Sequence, residues 1–399
     1  FSGPRARKAR CTCATVQKEE NKRHTTTAQT GVVSRNEMRV ALVHDYIKEY
    51  GGAERVLEAL HEIWPKAPVY TTVYAPRYLG PHTERFKSWD IHTSWLNYIP
   101  FRAKLISIFR IFTPFVFKSW DFSKYDVVIV SATGAYTPNL IGNWKMENGK
   151  LPLHICYCHT PPRYLYGYPT AREWSKNLVL RAFSLVANHV LRMVDYTASQ
   201  RPDFFIANSQ EVARRIKRFY GRGATVIYPP VDIPVTQKPN NPISRTYFLA
   251  GGRLARPKRI DLAVAACTKL KLPLKVFGKP FAGYGDELKA MAGSTIEFLG
   301  EVSDEEKYRL MAGAKAFLFP AEEEDFGITP VEAMSVGTPV IALRSGGVVE
   351  SVVEGETGSF FNEPKVDTLV NALKQFETKR WDYKAIAKYA QKFSKERFK

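Results

Sequence analysis

The chain has 399 residues, 45% of them hydrophobic, and 58 Lys and Arg against 39 Asp and Glu give a formal net charge of +19. Such a length exceeds what one hydrophobic core usually serves, and the apolar share is ordinary for globular folding, so two domains are expected and a wholly disordered chain is excluded. The five cysteines do not form the pattern of a disulfide framework, and no uninterrupted apolar run reaches the roughly 18 residues of a spanning helix.

A surplus of positive charge draws a protein toward something anionic, whether nucleic acid, membrane or phosphorylated ligand. Residues 1–37 hold eight Lys or Arg and three Glu, which is +5, so 38–399 keep the remaining +14. The excess is therefore not confined to a tail. Residues 1–37 lack an apolar period and read as a disordered or non-native leader ahead of Met38, with a transit peptide as the alternative. Cys156-Tyr157-Cys158 is too tightly spaced for a zinc pair and reads as buried strand thiols, which fits a reducing cytoplasm.

From Met38 the pattern alternates strand and helix. Arg39–His44 is strand-like, Ala53–Ile63 helical, Val69–Tyr74 extended and Tyr125–Ser131 a strongly apolar strand. Leu153–Cys158, Phe204–Asn208 and Thr225–Tyr228 continue the strands, with helices over about 175–195 and 210–220. Buried parallel strands joined by helices make a doubly wound sheet. Gly51-Gly52 lies between the first strand and first helix, where the absence of Cβ atoms lets backbone N–H groups approach a phosphate; the same pair also reads as a plain tight turn.

Residues 98–118 gather Ile99, Phe101, Leu105, Ile108, Phe112 and Phe115 with Arg102, Lys104, Arg110 and Lys118, and contain no acid. Pro114 interrupts any single helix through them. The segment suits a membrane interface; the competing reading is a core helix with solvated basic ends.

The polar, proline-rich run from Asp232 to Ser244 breaks the pattern and marks a linker over 232–245, separating a first domain of 38–231 from a second of 246–380. Beyond it Thr246–Ala250, Leu274–Phe277, Ile296–Leu299, Ala316–Phe319 and Val340–Leu343 read as strands, with helices near 260–270, 304–313, 330–336 and 347–354. Residues 381–399 read as a basic helix that packs back on the first domain, and since no C-cap follows, the sequence reads as truncated. The cleft between two such domains is the expected ligand site.

Within the second domain, Glu324-Asp-Phe-Gly-Ile-Thr-Pro-Val-Glu332 sits where an apolar strand stops and a helix begins. Thr329 as N-cap and Pro330 at the first helical position would turn the free backbone N–H groups toward the loop as an anion seat, while the two carboxylates grip hydroxyls. A nucleotide sugar offers both kinds of group. Thr329-x-x-Glu332 is equally a capping box, and Glu322 to Glu324 a solvated acidic turn; the spacing alone does not choose. Gly251-Gly252 ends the first strand of this domain and leads to Arg253 and Lys258, a bidentate cation and a point charge suited to a diphosphate.

Taken together, the Gly-Gly after strand one, Gly252-Arg253-Leu254 with a lysine five residues beyond the arginine, and Glu324-x7-Glu332 around Phe326-Gly327 resemble the family 4 retaining glycosyltransferases of GT-B fold, over about 38–399. His159-Thr-Pro-Pro-Arg-Tyr164, Ala207-Asn-Ser-Gln210 and Tyr228-Pro-Pro-Val-Asp232 resemble the bacterial branch that adds mannose or related sugars to lipid-linked or polysaccharide acceptors. The resemblance implies an α/β chain of two Rossmann-like doubly wound domains facing across a cleft. It implies catalytic roles for His159, Arg253, Lys258 and Glu324, and donor contacts from Gly51, Gly52, Gly252, Phe326, Gly327, Ile328, Thr329 and Glu332. Asp45, Tyr46, Arg163 and Tyr164 fall on the acceptor side.

The implied reaction is a retaining transfer in which the acceptor hydroxyl attacks the face the nucleoside diphosphate leaves. No metal or other cofactor is expected, because Asp-x-Asp is absent from the sequence and Arg253, Lys258 and a helix N-terminus can carry the charge work. GDP-mannose is the donor implied by the branch, with a UDP sugar as the alternative; an epimerase or glycosyl phosphorylase of the same shape is the competing enzyme class. Nucleic acid is not an expected partner, since the aromatics of 98–118 cluster with aliphatics instead of standing singly between cations. A cytoplasmic protein, peripheral on the cytoplasmic membrane face through 98–118, is the expected setting.

Overall fold

Short, strongly apolar strands set the frame of the computed structural model, which describes residues 38–142, 145–146, 148–168, 178–233 and 245–399. The leader expected at 1–37 and linker residues 234–244 lie outside them. The first sheet takes β1 (Val40–His44), β2 (Val69–Thr71), β3 (Ile91–Thr93), β4 (Val127–Ala132), β5 (Leu153–Cys158), β6 (Phe204–Ala207) and β7 (Thr225–Val226) in the order β3-β2-β1-β4-β5-β6-β7. The pairings are parallel, and β1 and β4 are buried along their whole length, as strands covered on both faces must be.

Around this sheet run α1 (Gly52–Ile63), α2 (Arg102–Phe109), α3 (Thr113–Ser119), α4 (Leu178–Ser199) and α5 (Gln210–Tyr220). Helix α5 shows why the chain turns where it does: the Ser209 hydroxyl accepts from the Val212 N–H at 3.0 Å, and Gly221 closes the far end in the left-handed conformation. The 98–118 segment is split as its proline requires, with Pro114 the second residue of α3. Its inner side chains Ile106, Phe109, Val116 and Phe117 join the core, while Tyr98, Phe101 and Phe115 are 81%, 76% and 71% exposed. The core reading thus holds for the inner face, and the outer face leaves large apolar side chains exposed.

The second sheet takes β8 (Tyr247–Gly251), β9 (Leu274–Phe277), β10 (Ile296–Gly300), β11 (Ala314–Phe319), β12 (Val340–Leu343) and β13 (Gly358–Phe361) in the order β10-β9-β8-β11-β12-β13. With it go α6 (Ile260–Leu270), α7 (Tyr284–Met291), α8 (Asp304–Ala312), α9 (Ile328–Ser335), α10 (Val348–Ser351) and α11 (Val366–Glu377). Each sheet reverses its strand order once, between β1 and β4 and between β8 and β11, which is where open α/β sheets hold ligands.

Among the described strands and α-helices, four escape the sequence reading. Three-residue β3 is a half-buried edge, β13 begins with Gly358, and α7 is short and holds Gly285. The fourth, α11, carried a readable signal, since Leu369, Val370, Leu373 and Phe376 recur at helical spacing and are buried. The single helix expected over 381–399 is instead α12 (Tyr383–Ala390), a short 3₁₀ turn at Gln391–Phe393, and α13 (Lys395–Phe398). Ile386 and Ala390 pack into the second domain's core, whereas Ser394 bridges to Val231, Lys395 pairs with Glu62 of α1, and the Phe398 ring lies 6.0 Å from that of Tyr157 on β5.

The loop after β8 can pass tightly over the end of β9 only because both contact points are glycines. Gly278 has φ +126, and a Cβ there would run into the carbonyl oxygen of Gly252, itself at φ +113. Substituting Gly278→Ala is expected to destabilise the chain by about 3 kcal/mol, from backbone strain plus overpacking, read as a lowered denaturation midpoint.

Candidate active site

A cavity of about 650 Å³ opens between the two sheets and takes its walls from both domains. At its floor two helices begin face to face. Gly52 opens α1, and a Cβ on it would come within 2.8 Å of the Ile328 side chain that opens α9. First-turn residues of both helices line the one space, and the free N–H groups and positive dipole ends of helix starts suit it to an anion. Gly51, Gly252, Gly327 and Thr329 also line it.

Here the structure corrects the expected start of α9. Gly327, at φ +88, is the N-cap, and Ile328 is the first helical residue, so Thr329 and Pro330 lie inside the first turn. Proline is tolerated there because its missing N–H is one the helix cannot bond anyway. Glu332 does not close a capping box on Thr329. It is 3% exposed and receives Arg55 Nη1 of α1 and Lys307 Nζ of α8, each at 2.8 Å. Burial alone would raise this carboxyl, but Arg55 and then Lys307 hold it below the ordinary glutamate value.

Nor is the acidic turn a solvated one. Glu322 pairs with Arg259, Glu323 lies 3.4 Å from Arg215, and both oxygens of Glu324 receive Lys258 Nζ at 2.8 Å. Against the upward push of burial, Lys258, with lesser pulls from Arg163 and Arg253, keeps Glu324 below its usual range and ionised. Arg253 reaches across the cleft to Glu49 at 3.0 Å, both side chains half exposed. Phe326 is nearly all core, its ring packed at a tilt against Tyr228 at 5.3 Å and Phe393 at 5.6 Å, so its backbone is what the cavity meets.

On the first domain's wall His159 donates to or accepts from the Ser131 hydroxyl at 2.9 Å, and Ser131 is in turn 3.1 Å from His44 Nδ1. Burial, reinforced by His44, pushes His159 down to about 3, so it is neutral at physiological pH. Tyr46, Arg163 and Tyr164 line the cavity, with the Arg110 guanidinium 4.1 Å above the Tyr164 ring. Asp45 does not. It is fully buried behind the wall and takes the Thr133 hydroxyl at 2.5 Å together with the N–H groups of Thr133, Ala135 and Tyr136, which makes it the anchor of the 133–136 loop. Burial raises its carboxyl despite His44 and these bonds.

The sequence reading missed Arg55, Lys307, Arg110 and Asp325, all cavity-lining. Arg55 was within reach of it, one turn into the helix after Gly51-Gly52. Asp325 stands inside the Glu324–Glu332 stretch itself, whereas Lys307 and Arg110 are brought in by tertiary packing.

Facing Rossmann-like domains with a cation-lined cleft onto which two helices open suit a ligand that is both charged and rich in hydroxyls. Two family models divide the chain between them: Glycosyltransferase Family 4 matches residues 50–234 and Glycosyl transferases group 1 matches 235–393. Curated relatives include the alpha-1,3/1,6-mannosyltransferase ALG2 of Rhizomucor pusillus, 24% identical over 90% of this chain and 88% of that protein, and ALG2 of Mus musculus, 28% identical over 69% and 71%. Among solved structures, Anabaena HepE in complex with UDP and glucose superposes with a TM-score of 0.64 at 18% identity, covering 90% of this chain and 97% of that one. A sucrose-phosphate synthase from Thermosynechococcus elongatus gives 0.65 at 19%, covering 90% and 96%. The chain belongs to the family 4 glycosyltransferases of GT-B fold and is a hexosyltransferase.

The loop that carries Arg163 and Tyr164 is pinned from behind by Asp195 of α4, whose Oδ2 accepts the hydroxyls of Tyr166 and Tyr220, each at 2.9 Å. Burial pushes Asp195 up from the ordinary 3.8 to about 7. Between those values the folded protein holds a proton that the unfolded chain has lost, so this group's contribution is full below about 4 and fades as pH rises through about 7. Melting temperature is accordingly expected to drop across that window, and Asp195→Asn, neutral throughout, to flatten the slope; equal slopes for the two proteins would refute the assignment.

Proposed function

We propose that this glycosyltransferase moves mannose from GDP-mannose to a hydroxyl of a lipid-linked or polysaccharide acceptor, with retention and without a metal. The observation that carries this reading is the meeting of Lys258, Glu324 and Arg253 at the cavity onto which the α1 and α9 N-termini converge. Arg253, Lys258 and the two helix ends neutralise the diphosphate and stabilise it as it leaves. Glu324, ionised, accepts hydrogen bonds from sugar hydroxyls, and Glu332 accepts from the ribose with Arg55 and Lys307 as its counter-ions. His159, neutral, stands beside the sugar as a hydrogen-bonding wall.

As the anomeric carbon–phosphate bond breaks, the acceptor oxygen bonds to the same face and its proton passes to the departing phosphate. A double displacement would need a carboxylate nucleophile at the anomeric carbon. Glu324 is a poor one, since Lys258 occupies both of its oxygens. The choice of mannose is supported by the names of the curated relatives, and a UDP sugar is the alternative.

Tyr46, Arg163 and Tyr164 line the acceptor side. The exposed apolar side chains of 98–118 stand among Arg102, Lys104 and Lys118, and residues 91–120 hold no Asp or Glu, which suits a peripheral seat on an anionic, cytoplasmic membrane face. Among the described residues no helix is long and apolar enough to cross a membrane. Binding to anionic liposomes is expected to fall steeply with salt and to weaken in Phe101→Ser with Phe115→Ser; salt-insensitive binding, or none, would remove the membrane from the account.

The donor is tested by thermal shift with GDP, UDP, ADP and their sugar conjugates, first without metal and then with magnesium. GDP and GDP-mannose are expected to stabilise the protein without metal, and failure of every nucleotide would sink the reading. Glu324→Gln should lose about 100-fold or more in turnover while keeping its affinity for GDP. Lys258→Ala should weaken GDP itself, by about 1.5–3 kcal/mol, measured by calorimetry.

A further inference from the structure

Arg215 of α5 is the largest fully buried side chain, 2% exposed, and lies in the first domain, yet most of its hydrogen bonds end in the second. Its Nη1 reaches Asp325 Oδ1 at 2.5 Å, and its Nη2 reaches the Glu323 carbonyl oxygen at 3.1 Å and Glu323 Oε2 at 3.4 Å. Within its own domain it holds Glu211 at 3.0 Å and Thr160 at 3.3 Å. These second-domain partners flank Glu324 on both sides. Ser209, the N-cap of the same helix, donates its hydroxyl to the Asp325 carbonyl at 2.5 Å.

The second domain answers with Glu350 of α10. Its two carboxylate oxygens accept the N–H groups of Gln210 and Glu211 at 2.7 and 2.8 Å, so the first turn of α5 is capped by a carboxylate from the opposite domain, at the end where the helix dipole favours negative charge. The loop so gripped is strained. Glu323 has φ +52, a left-handed conformation disfavoured for a residue with a Cβ, and such a residue persists where its surroundings over-determine it. From its own side the loop is held by Ser345 Oγ on the Glu323 N–H at 3.1 Å and by the Gly347 N–H on the Glu324 carbonyl at 2.7 Å.

We infer that Arg215 is a positioning residue which, with Glu350, bolts the 322–326 loop to the first domain, so that Glu324 is aimed at the donor sugar only while the two domains are engaged. Of the groups given to diphosphate and ribose, Arg253 and Glu332 cross to the first domain through Glu49 and Arg55 and not through α5, and Lys258 meets the bolted loop only at Glu324. Sugar recognition is therefore tied to the first domain through α5, and nucleotide recognition chiefly by these other routes. This inference rests on the donor reading proposed above.

Affinities for GDP and for GDP-mannose, with the kcat and KM of transfer, are compared for the wild type, Arg215→Gln, Arg215→Lys and Glu350→Ala. The expected result for Arg215→Gln is a loss of about tenfold or more in kcat and in the affinity ratio of GDP-mannose to GDP, with GDP affinity held within about twofold. Arg215→Lys should recover part of that loss, and Glu350→Ala, which leaves the buried guanidinium in place and tests the bolt if Arg215→Gln fails to fold, should shift the ratio in the same direction. A general structural role would lower GDP affinity and melting temperature together with kcat, and that outcome overturns the inference, as does an unchanged ratio in both Arg215→Gln and Glu350→Ala. Wild type that binds neither GDP nor GDP-mannose refutes the parent reading and this one with it; wild type that binds both, beside variants with the wild-type ratio, refutes this one alone.

Discussion

Two carboxylates withdrawn from water need cations, and in this protein the supply of those cations dictates how the domains meet. Glu332 is almost wholly buried and holds one cation from each domain, Arg55 and Lys307. Removing one partner of such a buried cluster leaves an uncompensated charge, typically destabilising by about 3–5 kcal/mol. Glu324 satisfies the same demand within its own domain, through Lys258. The electrostatics that suit the cleft to a phosphorylated, hydroxyl-rich ligand are thus the same interactions that hold its walls together.

The backbone supplies the other half of the site. Both sheets reverse strand order once, and the helices that follow those points, α1 and α9, start against each other because Gly52 leaves room for Ile328. Backbone N–H groups cannot be titrated, and in a well-packed floor they need no rearrangement to meet developing negative charge. The side-chain cations add to this fixed seat. Arg253, half exposed and paired with Glu49, sits at the mouth, where an ion pair contributes only about 0–1 kcal/mol and can exchange partners readily.

The first domain has a different character. Its cleft wall is built from buried polar relays, His44–Ser131–His159 and Asp45 with the 133–136 loop, which fix position without exposing charge. Asp195 does the same for the loop bearing Arg163 and Tyr164. On the outer side, α2 and α3 turn aromatic and aliphatic side chains to the surface while Arg110, at the end of α2, turns inward over Tyr164. One short basic segment therefore joins an apolar exterior to the first domain's wall of the cavity.

The sequence by itself determined the doubly wound architecture and the strand-to-helix junctions that carry Gly52, Arg253, Lys258, Glu324 and Glu332, because buried parallel strands, glycine pairs and helix starts leave local, periodic marks. It also carried the family, through motifs that span both domains. It could not decide whether Glu332 caps its own helix or binds outward, since Thr329-x-x-Glu332 has the same spacing in both cases; the answer lies 277 residues away, at Arg55. The family resemblance put Asp45 on the acceptor side, and only the packing of the 133–136 loop shows it turned behind the wall. Arg215 carried no motif at all. Its role is decided by which domain lies opposite α5, a relation between distant segments that no local pattern encodes.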